Sequence, residues 1–224
     1  MDASSRLASA IEHTLLSPIA SRDDIVRLVD EAVEHRLFGV CVASSRVTVA
    51  RERIRGHRAS TKLVSVVGFP NGAIATSIVV AETSLAIADG ADEIDVVAPL
   101  GLFRDGDPRA VLEHLGAVVA AAEGRPVKVI LETGMLTDGS IRDLALIALD
   151  AGAKFLKTST GIADRGGATV EHVALLRAIA GDRAGVKASG GIRTREIAHA
   201  MLDAGATRIG TSAGPRLVAS GDLP

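Results

Sequence analysis

Residues 150–158 read DAGAKFLKT: the close of a helix, a glycine, and a short strand that ends in a lysine. The same signal stands at Asp89-Gly90-Ala91 and at Asp203-Ala204-Gly205-Ala206. Each glycine lies just past an Ala-rich amphipathic stretch and just before an aliphatic run, where a helix C-terminus needs a left-handed residue. Working outward, eight aliphatic runs predict strands: Ile11–Leu15, Phe38–Val42, Lys62–Val67, Asp92–Val97, Val127–Glu132, Lys154–Thr158, Gly185–Ser189 and Thr207–Gly210. Between them, Asp23–Arg36, Ser77–Asp89, Pro108–Ala122, Ser140–Asp150, Val170–Ala180 and Thr194–Ala204 have helical character. Alternating strands and helices, with near-continuous apolar strands, imply a parallel sheet. Eight such units, with no G-x-G-x-x-G after the first strand, favour a closed (β/α)8 TIM barrel of the α/β class over an open dinucleotide-binding sheet. The 224 residues suit a single domain spanning 1–224. The first strand is the shortest signal and only partly apolar.

In a barrel, alternate strand residues face the helices and the axis. Ile94 and Val96 alternate with Glu93, Asp95 and Val97; Val127, Val129 and Leu131 alternate with Lys128, Ile130 and Glu132; Leu156 precedes Lys157, and Val186 precedes Lys187. The axis-facing parity therefore collects Asp95, Lys128, Glu132, Lys157 and Lys187, with Glu12 joining from the first strand. One such charge buried alone costs several kcal/mol (roughly). A mixed cluster is either a static ion network or a reactive site, and perturbed clusters concentrate at reactive sites.

Lys157 ends its strand, at the barrel face that carries chemistry. An exposed lysine stays protonated and is a poor nucleophile. Beside a second cation in a partly dry mouth it releases its proton and can form a Schiff base with a carbonyl. Lys187 holds the corresponding place on the next strand. Glu132 either tunes these lysines or neutralises Lys128, and the second reading is preferred. The loops beyond contain Thr160-Gly161, Ser189-Gly190-Gly191 and Gly210-Thr211-Ser212. Small residues after the last barrel strands let backbone N–H groups converge on a phosphate. Thr160, Gly161, Gly190, Gly191, Gly210 and Ser212 are therefore candidate phosphosugar contacts.

Composition excludes other classes. Apolar residues make up 47% of the chain and aromatics 2%, so Ala, Val, Ile and Leu must build the core. With 25 basic against 27 acidic residues, there is no broad basic field and no aromatic platform for nucleic acid. One cysteine, Cys41, forms no intrachain disulfide and no multi-cysteine zinc site. Cys41 reads as a small buried hydrophobe on the second strand, although aldehydes could attack its thiol. His13 reads as a hydrogen-bonded core or rim residue. No His/Cys/Asp spacing suits a metal, and no cofactor is expected. The N-terminus lacks a signal-peptide pattern and no run is long enough to span a membrane, so a cytoplasmic protein is expected.

Nine motifs then show a resemblance that runs nearly end to end: IEHTLL (11–16), GVCV (39–42), VVGFPNGA (66–73), GADEIDVV (90–97), VKVILETG (127–134), AGAKFLKTSTG (151–161), GGATVEHV (166–173), VKASGGIRT (186–194) and GATRIGTSAG (205–214). The chain resembles the deoxyribose-phosphate aldolases, class I aldolases with a (β/α)8 fold. The resemblance implies reversible cleavage of 2-deoxy-D-ribose 5-phosphate to acetaldehyde and D-glyceraldehyde 3-phosphate, without metal or cofactor, in deoxyribonucleotide catabolism. It implies that Lys157 forms the imine, Lys187 lowers its pKa, and Asp95 relays protons with water. It also implies a dimer or tetramer. Three departures bear on affinity and scope. Glu12 replaces the usual Asp. Ser212-Ala213 replaces Ser-Ser, leaving backbone N–H groups to serve. Ala43-Ser44-Ser45 follows GVCV in place of a Pro-Tyr pair. A Schiff-base aldolase for another acceptor, and a phosphosugar-binding protein without turnover, are the competing readings. The intact Lys157, Lys187 and Asp95 count against the latter. Some relatives end in a catalytic tyrosine. This chain has no Tyr and ends Ser220-Gly221-Asp222-Leu223-Pro224, so the proton path is expected to use water held by Asp95 and Lys187, or by Glu12.

Overall fold

The computed structural model describes residues 3–162 and 165–219; the tail Ser220–Pro224, which bears on the proton-path expectation, lies outside the described residues. Eight parallel strands close into a barrel in sequence order: β1 (Ile11–Leu15), β2 (Gly39–Ala43), β3 (Lys62–Val67), β4 (Glu93–Val97), β5 (Val127–Ile130), β6 (Phe155–Lys157), β7 (Gly185–Ser189) and β8 (Arg208–Thr211). The β1–β8 pair, with Ile11 opposite Ile209, completes the ring. All eight predicted strands form, β1 included, with ends that move by up to two residues.

Around them lie α1 (Ala3–Ala8), α2 (Arg22–Glu34), α3 (Val47–His57), α4 (Thr76–Ala88), α5 (Leu100–Arg104), α6 (Pro108–Ala121), α7 (Asp138–Asp150), α8 (Val170–Ala180), α9 (Arg195–Asp203) and α10 (Gly214–Val218). Several helix starts are capped by side chains. Ser21 and Asp24 form a reciprocal capping box on α2, and Thr137, Thr169 and Thr194 cap α7, α8 and α9. Helix α3 was not among the predicted helices. Its buried face is only Val47, Ala50 and Ile54, and four arginines and histidines dilute the apolar signal.

The alternation divides the interior as expected. Ile94, Val96, Val127, Val129, Leu156, Val186 and Ile209 join the helix-facing core. Inside the barrel a small apolar cluster of Cys41, Val64 and Val66, capped by Leu16 and Phe69, fills one side. Charged side chains fill the other. Arg208 stacks 3.6 Å over the Phe38 ring and 5.3 Å from that of Phe155, at the N-terminal end of the strands. No described helix is long and apolar enough to cross a membrane.

Candidate active site

Strand register sets the charges in layers. Asp95 stands opposite Lys128, Ile130 opposite Lys157, and Lys157 opposite Lys187. Lys157 therefore lies one layer nearer the C-terminal mouth than Lys128. Asp95, fully buried, accepts from three ammonium groups: Lys128 Nζ at 2.8 Å on Oδ1, and Lys157 Nζ at 2.7 Å and Lys187 Nζ at 2.6 Å, both on Oδ2. Two lysines on adjacent strands thus share one carboxylate oxygen. Lys187 also bonds Glu12 Oε2, whose other oxygen is 3.5 Å from Lys128 Nζ and 3.8 Å from Arg208 Nε. Gly210 makes room for this: a Cβ there would sit 3.0 Å from Lys187 Cε.

Glu93 was not among the predicted site residues, and it completes the lower layer with Oε2 2.7 Å from Lys128 Nζ. Its alternation with Ile94, in phase with Asp95, was the available signal. Among the described residues, the network holds four cations (Lys128, Lys157, Lys187, Arg208) and three carboxylates (Glu12, Glu93, Asp95). It balances when one lysine is neutral. Lys157 is the one of the three lysines whose pKa falls. Burial pushes its pKa down, the Asp95 carboxylate pulls it up, and the Lys187 ammonium pushes it down again, with a net fall. Burial is the largest cause, and the neighbouring cation adds to it. Lys187 and Lys128 go the other way: burial lowers them, but the carboxylates around them outweigh it. Burial raises Asp95, and three lysines overcome this to hold it well below the usual carboxylate range. One amine is thus poised to lose its proton while its neighbours keep theirs.

Glu132 does not neutralise Lys128. The chain leaves β5 after Ile130 and turns through a left-handed Glu132 (φ 56°), which costs roughly 1–2 kcal/mol for a non-glycine residue. The turn swings the buried carboxylate beneath the β6 loop. There it accepts from Thr160 N–H at 3.0 Å and from Thr160 Oγ–H at 2.6 Å, with Arg165 3.7 Å away. Alternation alone could not show this, because the strand had already ended. Cys41 is fully buried in the apolar cluster, and burial raises its thiol pKa. Glu12, Cys41 and Asp95 place donor atoms within 4.8 Å of one another, but the Lys187 ammonium already bonds both carboxylates.

Above Lys157 opens a cavity of about 420 Å³. Thr160, Gly161, Gly190, Gly191, Gly210 and Ser212 all line it. Gly190 and Gly191 both take positive φ (91° and 79°), and Gly190 packs against the Gly161 and Gly167 backbones. Thr211 Oγ–H donates to the Ile192 carbonyl at 2.6 Å, binding the β7 and β8 loops together. Ala213 N–H donates to Thr211 Oγ1 at 3.0 Å, so this amide is already engaged. Arg193 lines the rim. His13 is buried and does not line this cavity, with Nε2 2.8 Å from Glu31 and Nδ1 3.4 Å from the Thr211 carbonyl oxygen.

A buried, deprotonation-prone lysine at the foot of a glycine-rimmed cavity accords with a match over residues 8–217 to the DeoC/LacD family aldolase model. The chain belongs to the DeoC/LacD aldolase family. The aldolase is 47% identical over 214 residues, covering 95% of each chain, to the deoxyribose-phosphate aldolase of Thermococcus gammatolerans. It is 49% identical over 212 residues to deoxyribose-phosphate aldolase 1 of Cutibacterium acnes, covering 95% of this chain and 96% of that one. Among solved structures, the deoxyribose phosphate aldolase of Aeropyrum pernix, described as a unique tetramer, superposes with a TM-score of 0.88 at 35% identity. That match covers 96% of the aldolase and 91% of its relative.

Proposed function

We propose that this aldolase cleaves 2-deoxy-D-ribose 5-phosphate reversibly to acetaldehyde and D-glyceraldehyde 3-phosphate through a Schiff base on Lys157. The observation that carries this reading is the Lys157 amine, buried at the foot of the cavity and sharing Asp95 Oδ2 with Lys187. Neutral Lys157 attacks C1 of the open-chain sugar, and the carbinolamine loses water to give the iminium. Removal of the C3 hydroxyl proton breaks the C2–C3 bond. Its electron pair moves to the iminium nitrogen, leaving the enamine and releasing glyceraldehyde 3-phosphate. Protonation of the enamine carbon and hydrolysis then return acetaldehyde and the free amine. Asp95 and Lys187 hold and pass the protons through water. The imine is the electron sink, so no step calls for a metal or cofactor. Glu12 keeps Lys187 charged in this scheme, and buried Cys41 is a packing residue.

The phosphate rests on Gly190, Gly191, Gly210 and Ser212, with Thr160 and Gly161 forming the facing wall. We further propose that the chain acts as one domain and as a homo-oligomer in the cytoplasm. A coupled assay for glyceraldehyde 3-phosphate release, run on deoxyribose 5-phosphate beside plain deoxyribose, tests the reading. No release from the phosphorylated sugar would refute it. In the same assay Ser212→Glu is expected to raise KM for the phosphorylated sugar roughly tenfold or more, since it sets like charges together. KM for deoxyribose should hardly change, and an equal rise for both sugars would move the phosphate elsewhere.

A further inference from the structure

Beneath the loop that follows Lys157 lies a carboxylate that the reaction scheme does not use. Leu131 N–H donates to the Lys157 carbonyl at 2.9 Å, and Thr133 N–H donates to the Thr158 carbonyl at 2.9 Å. Beyond the end of β5, backbone hydrogen bonds to the β6 segment thus flank Glu132 on both sides, and Glu132 between them takes the left-handed conformation. The turn carries its side chain beneath Thr160. Both hydrogen-bond donors of Thr160 are then consumed by Glu132, and Thr160 Oγ1 accepts from Ile162 N–H at 3.3 Å. Arg165, 3.7 Å from the same carboxylate, donates to the Pro70 carbonyl at 2.9 Å, next to the cavity-lining Phe69. One buried side chain therefore ties together the loops that follow β3, β5 and β6.

We infer that Glu132 is a positioning residue: by occupying both donors of Thr160 it fixes the segment from Lys157 to Gly161 in one geometry. This inference rests on the Schiff-base reading of Lys157. Attack on a carbonyl needs the amine in a near-attack placement, and small displacements of a supporting segment are costly in rate. The effect should fall on turnover, and equally for phosphorylated and plain sugars.

The test compares Glu132→Ala, Glu132→Gln, Thr160→Val and the double variant Glu132→Ala/Thr160→Val, measuring kcat and KM on deoxyribose 5-phosphate and on deoxyribose. Borohydride trapping of acetaldehyde on Lys157 is run in parallel. Glu132→Ala and Thr160→Val are each expected to lower kcat about tenfold or more, by the same factor for both sugars, with KM nearly constant. Glu132→Gln, which retains one acceptor, should fall between. The double variant should lose no more than the worse single one, because both remove one shared anchor. If Glu132→Ala does not fold, Glu132→Gln and Thr160→Val decide on the same criteria. A Thr160→Val defect confined to KM for the phosphorylated sugar would make Thr160 a phosphate ligand and overturn the inference. Independent, multiplying losses or unchanged kcat would overturn it too. If the wild type traps acetaldehyde on Lys157 while the variants behave as wild type, this inference alone fails. If the wild type does not trap there, the Schiff-base reading fails and takes the inference with it.

Discussion

Lys187→Leu is expected to lower kcat by about a thousandfold or more while leaving substrate binding nearly intact. Lys187 bonds Glu12 and Asp95 together and lies on the same oxygen as the Lys157 amine. Its removal leaves Lys128, Lys157 and Arg208 against three carboxylates. Loss of that charge favours the protonated form of Lys157, and a protonated lysine is no nucleophile. The shift has a definite sign. Lys157 must be neutral to react, so activity rises with pH through its pKa. Loss of the Lys187 charge raises that pKa and moves the acid limb of the kcat profile to higher pH. Each unit is worth about 1.36 kcal/mol and a tenfold loss of neutral amine on the acid side. Steady-state kinetics across pH, with KM reported apart from kcat, measure both effects. Near-wild-type kcat, or an unmoved acid limb, would remove Lys187 from this role.

Asp95→Asn is expected to reduce proton exchange at the enamine carbon by about 10²–10⁴-fold. The carboxylate accepts from Lys128, Lys157 and Lys187. An amide has one acceptor oxygen and turns N–H donors toward groups that are already donors. Four cations would then face only Glu12 and Glu93, so the variant is also expected to lose about 3–5 kcal/mol of stability. The pH dependence of stability should change with it. Asp95 has its folded pKa depressed below the unfolded value. The stability it contributes is present above the unfolded carboxylate pKa and lost as pH falls toward the folded one. The asparagine variant lacks that contribution. Deuterium exchange into acetaldehyde followed by NMR, with thermal melts from neutral to acid pH, reads both. Normal exchange in the variant would place the proton path elsewhere.

The alternation of charge along the strands made the axis-facing set legible: Glu12, Asp95, Lys128, Lys157 and Lys187 are all buried together inside the barrel. Eight strand signals separated by helices made the closed fold legible in the same way. What alternation could not supply was the stagger between neighbouring strands. That stagger decides that Lys128 lies beside Asp95 and Glu93 while Lys157 stands one layer higher. The Glu132 partner was hidden for a related reason: period-two alternation stops at Ile130, beyond which the backbone turns left-handed and the side chain leaves the strand pattern. The place of Arg208 is not legible from alternation because its partners, Phe38 and Phe155, come from two other strand starts. The glycine loops were legible because small residues after late strands have few other uses. The engagement of Ala213 N–H by Thr211 depends on a turn that composition does not encode.

The claim on which the rest depends is that Lys157 is the one amine that forms the imine. Incubation with acetaldehyde and sodium borohydride, followed by peptide mapping, tests it most directly. The account predicts one reduced adduct on Lys157, its yield rising with pH through the acid limb, and none on Lys128 or Lys187, whose ammonium groups are held by carboxylates. An adduct found only on another lysine would contradict it.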